Sequence, residues 1–254
     1  MPASTFGLAD WASTFLLTAT RVGGALAFTP IPGIRQAPAL TRALLILCVA
    51  AVLTPLYPPA RLPGSASAFF LWLVNELIFG LAVGLLAGFV AEGLLLAAQA
   101  VSLQAGYSFA TMVDPNSQAD SGVLQIFFTL AANLLFFVCG LHHAILRAFT
   151  ASLQHWPPGA PLEPDLAEII IRFGGSAIAS GLRLAIPVAG FLLLTDLFLA
   201  IAGRMHAQLQ LLTLAFPVKM LASLAGLAVL APAAALLYGQ LAAEAIRIFE
   251  RLLH

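Results

Sequence analysis

The amino-acid sequence predicts an all-α integral membrane protein, and three observations predict it. The first is composition: 61% of the 254 residues are hydrophobic and only 9% charged, at a mean hydropathy of +1.00. A soluble domain carries about 45–50% apolar and about 25% charged residues. This much apolar surface exceeds what one aqueous core can hide, so lipid or apolar subunits must cover it. The second is that the apolar residues fall in long runs, where a membrane-spanning helix needs about 20 of them. The third is a ladder of glycines four residues apart inside one run, the spacing that lets a second backbone approach closely within a bilayer. Formal net charge is zero, which excludes nucleic-acid binding by bulk electrostatics.

Six apolar runs follow in order: Phe15–Phe28, Leu40–Leu56, Phe69–Leu103, Val123–Phe149, Ile178–Ile201 and Leu209–Leu237. Two are too long for one crossing. At about 1.5 Å per residue the third reaches about 50 Å, so it kinks or extends beyond the hydrocarbon. The last residues, GQLAAEAIRIFERLLH, predict an amphipathic helix with Glu244, Arg247, Glu250 and Arg251 on its polar side. Connections are rich in proline, which removes a backbone donor and resists continued helix. The most polar of them, QHWPPGAPLEPD, separates the two halves of the chain. No basic n-region precedes the first run, whose first positive charge is Arg21, so an uncleaved chain is expected. Cys48 and Cys139 lie in apolar runs without metal-ligand spacing and read as small buried hydrophobes. Basic residues divide 4 to 5 between alternate sides, which sets no orientation.

Arg21, Glu76, Glu92, Arg183 and Asp196 interrupt these runs. Each costs about 2.5–3.5 kcal/mol at a helix centre, against about 0.3–0.6 kcal/mol gained per large aliphatic or Phe. Such residues serve either a proton or ion path or structural pairing across subunits and at the edge of the hydrocarbon. The third run favours the structural use. Glu76, Gly80, Gly84, Gly88 and Glu92 stand four apart and so nearly above one another on a helix. They form a smooth groove with a carboxylate at each end, a face suited to receiving another helix.

Catalytic and cofactor signatures are missing: there is no HExxH, GxxxxGK[ST], GxSxG or Cys/His metal spacing. No enzyme activity and no cofactor are expected. His142 and His143 are adjacent, so they point about 100° apart on a helix and read as a helix-end pair meeting water. The loop after the glycine helix is the feature that composition leaves unexplained. Asp114-Pro115-Asn116-Ser117 is a good turn, preceded by the bulky Tyr107, Phe109 and Met112 between Gly106 and Gly122. Non-helical backbone at membrane depth survives only if buried in protein or lining a water-filled cavity. Spacing alone leaves that reading and an exposed interhelical turn both open.

At this loop the residues resemble a known family. Gln104-Ala-Gly106 followed by Phe109-Ala-Thr-Met-Val-Asp114-Pro115 is similar to the matching stretch of the FliR family of flagellar type III export-gate proteins. The Arg21…Pro30…Gly33…Arg35…Arg42 entry, the Glu76/Gly80/Gly84 helix and the Ser152…Pro157…Gly159 loop agree in order. So do Leu184-Ala-Ile-Pro187 leading to Asp196, and Phe216-Pro217-Val218-Lys219. Ala207, Gln210 and Ala215 depart from the family pattern.

The resemblance implies stacked helical hairpins, with a P-like part over residues 1–180 and a Q-like hairpin with the amphipathic C-terminal helix over 181–254. It implies assembly with P-type and Q-type subunits and other export-apparatus membrane proteins in the bacterial inner membrane, at the flagellar basal body. Unfolded export substrates would cross there, and Tyr107, Phe109, Met112, Asp114 and Pro115 would belong to a loop that helps plug the pore. Two rivals are a small-solute or ion transporter with a re-entrant loop, using Glu76, Glu92 and Asp196 as coupling groups, and the homologous subunit of virulence secretion systems. Transporters commonly repeat their site in both halves, whereas the Gln-Gly…Asp-Pro pattern occurs once.

Overall fold

The computed structural model describes residues 8–31, 33–34, 37–56, 64–107, 123–155, 165–205 and 211–252. Its elements are α1 (Leu8–Phe28), α2 (Ala39–Leu53) with a 3-10 turn at Thr54–Leu56, α3 (Ala66–Ala105), α4 (Val123–Val138), α5 (Leu141–His155), α6 (Leu166–Met205) and α7 (Leu211–Leu252). No strand occurs among the described residues. Among the described residues, four helical segments are long and apolar enough to cross a membrane, or five if the α4–α5 pair is one span. The protein is therefore an all-α integral membrane protein.

Local chemistry explains the boundaries. The third run is one helix of 40 residues without an internal proline. It ends where Gly106 takes φ +86°. There the Gly106 N–H bonds the Leu103 carbonyl at 3.2 Å and the Tyr107 N–H bonds the Ser102 carbonyl at 3.1 Å. This is a Schellman cap, which satisfies two of the carbonyls that a helix end leaves over and needs a residue free to enter the left-handed region. The fourth run breaks in the same way at Gly140, whose φ is +71°. Its N–H bonds the Phe137 carbonyl at 3.1 Å.

Three expectations are corrected here. The first run is not among the spanning candidates: α1 buries Ser13, Thr14, Thr18 and Arg21 against its own chain. The Thr14 and Thr18 hydroxyls are satisfied by the carbonyls of Asp10 and Thr14, at 2.7 and 2.9 Å. The amphipathic C-terminal segment is the continuation of α7 rather than a separate helix; Ala242, Ala245 and Phe249 are buried while Glu244, Arg247, Glu250 and Arg251 are exposed. Cys48 is exposed and Cys139 half-buried. For Cys48 the reason is that α2 also exposes Leu40, Leu44, Leu47 and Val52, an apolar face with no cover within the chain.

The chain forms two compact units, each interleaved in sequence. The first comprises residues 1–89, 136–174 and 242–254, and the second residues 90–135 and 175–241. In the second, Ala97, Val101, Ala105, Leu124, Ala185, Val188 and Leu192 make the core. Asp196 meets Lys219 and Val188 meets Gly226. Sequence positions thus rise along α6 as they fall along α7, and the two helices form an antiparallel hairpin. Many large side chains stay uncovered on it, among them Phe191, Leu194, Phe198, Leu221 and Val229.

Within that unit α3 and α6 touch backbone to backbone. A Cβ on Gly181 would stand 2.0 Å from the Gly93 carbonyl oxygen, and one on Gly93 would stand 2.9 Å from the Ala177 carbonyl oxygen. Gly190 lies on the same α6 with nothing within 4 Å of its would-be Cβ. We expect Gly181→Ala to destabilise the purified assembly by about 1–3 kcal/mol through overpacking. Gly190→Ala should raise stability by about 0.4–1 kcal/mol by restricting the unfolded chain. Thermal melting of the detergent-solubilised complex distinguishes the two, and equal effects would remove the close approach from the account.

Candidate functional site

The glycine ladder is occupied from within the chain. A Cβ on Gly80 would stand 2.1 Å from the Arg21 carbonyl oxygen, one on Gly84 2.4 Å from that of Ala25, and one on Gly88 2.9 Å from that of Phe28. From α1, Gly24 reciprocates, its would-be Cβ 2.8 Å from the Leu77 carbonyl oxygen. Positions rise together along both helices, so α1 and α3 run parallel. The helix that this face receives is the protein's own α1.

That approach brings Arg21 down onto Glu76, one turn before Gly80. The guanidinium Nε and Nη2 both donate to the Glu76 carboxylate, the latter at 2.9 Å, and Nη1 donates to the Ser152 Oγ at 2.9 Å. Ser152 donates in turn to the Phe149 carbonyl at 2.8 Å, and the guanidinium carbon lies 4.7 Å from the centre of the Phe79 ring. Arg21 and Glu76 are only 2% and 3% exposed. A planar fork matched to a carboxylate is the strong form of the ion pair, and here hydrogen bonds and an aromatic face satisfy what the pair leaves over. Ser152 lies inside α5 rather than in the loop where the sequence grouped it. Glu92, expected to cap the far end of the ladder, belongs to the second unit and is half-buried.

The second unit holds another polar group, at the end of α3. Lys219 on α7 donates to the Asp196 Oδ2 on α6 at 3.0 Å, and its Nζ lies 2.8 Å from Oδ1. Gln104 Nε2 stands 3.5 Å from the same carboxylate. Tyr107, aimed by the Gly106 cap, donates its phenol hydrogen to the Met220 carbonyl at 3.2 Å. Ser223 donates to that carbonyl at 2.8 Å, and its oxygen lies 3.5 Å from the Tyr107 hydroxyl. The sequence singled out Asp196 as a charged interruption and Lys219 as the end of the Phe216-Pro217-Val218-Lys219 motif, without joining the two. Opposite charges in neighbouring apolar runs were the available signal for the pair. Arg183 is exposed on α6 and makes no ion pair among the described residues. His142 is half-buried and its ring lies tilted against that of the exposed His143, with centres 4.0 Å apart, at the start of α5. Phe109, Met112, Asp114 and Pro115 lie outside the described residues.

Among the described residues no three His, Cys, Asp or Glu side chains could hold a metal ion. The carboxylates Glu76 and Asp196 are each neutralised by a cation of the same chain. The class so defined is a helical membrane component whose polar residues tie helices together.

The sequence matches the model of the family described as Bacterial export proteins, family 1, over residues 12–245, and the chain belongs to that family. Its curated relatives include the flagellar biosynthetic protein FliR of Escherichia coli strain K12, 28% identical over 88% of this chain and 86% of that protein. FliR of Caulobacter vibrioides is 26% identical over 92% and 94%, and FliR of Bacillus subtilis 25% over 84% and 84%.

Two outcomes test the first unit. Arg21→Met leaves a buried carboxylate unpaired and should cost about 3–5 kcal/mol, whereas Arg21→Met with Glu76→Met should recover most of that loss; protease resistance of the solubilised protein reads the difference. Gly84→Leu would drive a side chain into the α1 backbone, so the chain should fail to accumulate even when expressed alone. Normal accumulation of the lone chain, with only complex formation lost, would make the ladder an intersubunit surface instead.

Proposed function

We propose that this protein is an export-gate subunit of the flagellar type III secretion apparatus in the bacterial inner membrane, helping to form and plug the pore through which unfolded flagellar proteins cross. The observation that carries the reading is the family match over residues 12–245, joined to full-length relatives that are flagellar biosynthetic proteins. All the relatives named above are flagellar, which favours the flagellar over the virulence apparatus. Its partners are P-type and Q-type subunits and other membrane proteins of the apparatus. Residues 1–180 correspond to a P-like part and 181–254 to a Q-like hairpin. The uncovered apolar side chains of α2, α6 and α7 supply surface for such neighbours and for lipid.

The mechanism is gating rather than catalysis. Tyr107, Phe109 and Met112 act as bulky plug residues, with Asp114-Pro115 holding the turn. Apolar side chains over a narrow passage block water and ions by dewetting and steric closure. An arriving polypeptide displaces the loop at the cost of the loop's own local packing. The energy for transport comes from partner proteins and the proton-motive force. The transporter reading has less support, since Glu76 and Asp196 are each held by a cation and the loop pattern occurs once. Deleting residues 107–112 should leave assembly of the gate intact and make cells leak small ions or dyes; unchanged permeability at normal complex yield counts against the plug.

A further inference from the structure

The charges of α6 are spaced in a particular way. Glu168 and Arg172, near its start, are exposed and pair with each other one turn apart. Two further charges, Arg183 and Arg204, are exposed and make no ion pair among the described residues. Twenty residues, 184–203, lie between them. At about 1.5 Å per residue that is about 30 Å of helix, the thickness of the hydrocarbon core of a bilayer. At about 100° per residue the two arginines stand about 60° apart around the axis. They therefore mark the two ends of one helix face.

Between those ends the face carries no exposed polar residue. Every exposed residue of 184–203 is apolar, among them Ile186, Phe191, Leu194, Leu197, Phe198 and Ile201. The two polar side chains of the segment are answered within the chain: the Thr195 hydroxyl donates to the Phe191 carbonyl at 2.9 Å, and Asp196 pairs with Lys219. On the antiparallel α7, every exposed residue of 217–229 is apolar too, including Val218, Leu221, Leu224 and Val229. A contiguous apolar surface of this extent needs an apolar cover. Contact with another protein sets no fixed length for such a surface, whereas a bilayer does. A guanidinium costs about 2.5–3.5 kcal/mol at the centre of a spanning helix. At the edge of the hydrocarbon it avoids that cost, because the stem lies along apolar surface while the head reaches the interface. There its planar fork matches a phosphate through two parallel hydrogen bonds.

We propose that the α6–α7 hairpin meets lipid directly along residues 184–203, with Arg183 and Arg204 bound to phospholipid phosphates of opposite leaflets. The earlier part of α6, with its exposed Glu168–Arg172 pair, then stands outside the hydrocarbon, which accounts for a helix of 40 residues where one crossing needs about 20. Arg183 and Arg204 are positioning residues that set the depth of the hairpin in the bilayer. The inference needs the helical membrane fold alone and is independent of the plug.

The test uses the complete chain, purified in its assembly and returned to vesicles of phosphatidylethanolamine and phosphatidylglycerol. Cys48 and Cys139 are replaced by serine, and a nitroxide is attached at Leu194→Cys or at Ile171→Cys, both exposed positions of α6. Collision with oxygen, which concentrates in lipid, is compared with collision with a water-soluble nickel chelate. The label at 194 should favour oxygen several-fold more than the label at 171. A label at 194 that the chelate reaches as readily as the one at 171, or that neither reagent reaches because protein covers it, overturns the proposal. Arg183→Leu lengthens the apolar segment at one end, so a label at Ile186→Cys should roughly double its preference for oxygen as the helix resettles. Arg183→Lys should leave that preference unchanged, and no gain in Arg183→Leu overturns the anchoring. If the chain without cysteines fails to assemble, Leu194→Trp and Ile171→Trp in the natural chain carry the test. Phospholipids brominated on their acyl chains should quench the added fluorescence at 194 and spare that at 171; equal quenching, or none at 194, overturns the proposal in the same way.

Discussion

The Arg21–Glu76 pair, set under a run of glycines, is the constraint on which the first unit depends. A guanidinium and a carboxylate taken out of water cost several kcal/mol each, and only close geometry with further hydrogen bonds offsets that cost. The geometry exists because Gly80 has no side chain. The Arg21 carbonyl oxygen occupies the place where a Cβ at Gly80 would be, and from there the Arg21 side chain reaches Glu76 one turn back. The glycine ladder and the ion pair are one device: the ladder sets the distance and the pair sets the register. The Phe79 ring, on the same turn of α3, and Ser152, far away in the sequence on α5, complete it.

The same helix serves the second unit by a different route. Residues 90–105 of α3 meet α6 through Gly93 and Gly181, and they end in a glycine cap that aims Tyr107 at α7. Gly106 therefore stops α3 and sets the direction in which Tyr107 leaves it. The packing units do not follow the chain: α3, α6 and α7 each contribute to both.

Much of this was legible in the sequence. Composition alone marked a membrane chain, run lengths marked the helices, and four-residue spacing marked the ladder before any coordinate was known. The ordered motifs pointed to the export family to which the chain belongs; of the charged interruptions, Arg21, Glu76 and Asp196 meet an opposite charge, while Arg183 meets none among the described residues. Less legible was what α1 does. Its run reads as one more apolar segment, yet its hydroxyls and Arg21 face inward, and the sequence carries no mark of a polar face turned toward protein. Cys48 misled for the converse reason: it lies in an apolar run, yet its own chain leaves that face of α2 exposed.

By itself the sequence determined the solvent this protein requires, the segments that become helices, the place where a backbone can come close and the residues whose charge must be answered. Those follow from local quantities, namely hydropathy, periodicity and the absence of a Cβ. Only the tertiary structure decided which helix fills the ladder, that Glu76 belongs to Arg21 and Asp196 to Lys219, and that Tyr107 is tied to α7. The reason is distance along the chain. Arg21 and Glu76 are 55 residues apart, and Tyr107 and Met220 are 113 apart, so the pairing is set by how helices pack and not by any spacing within one of them.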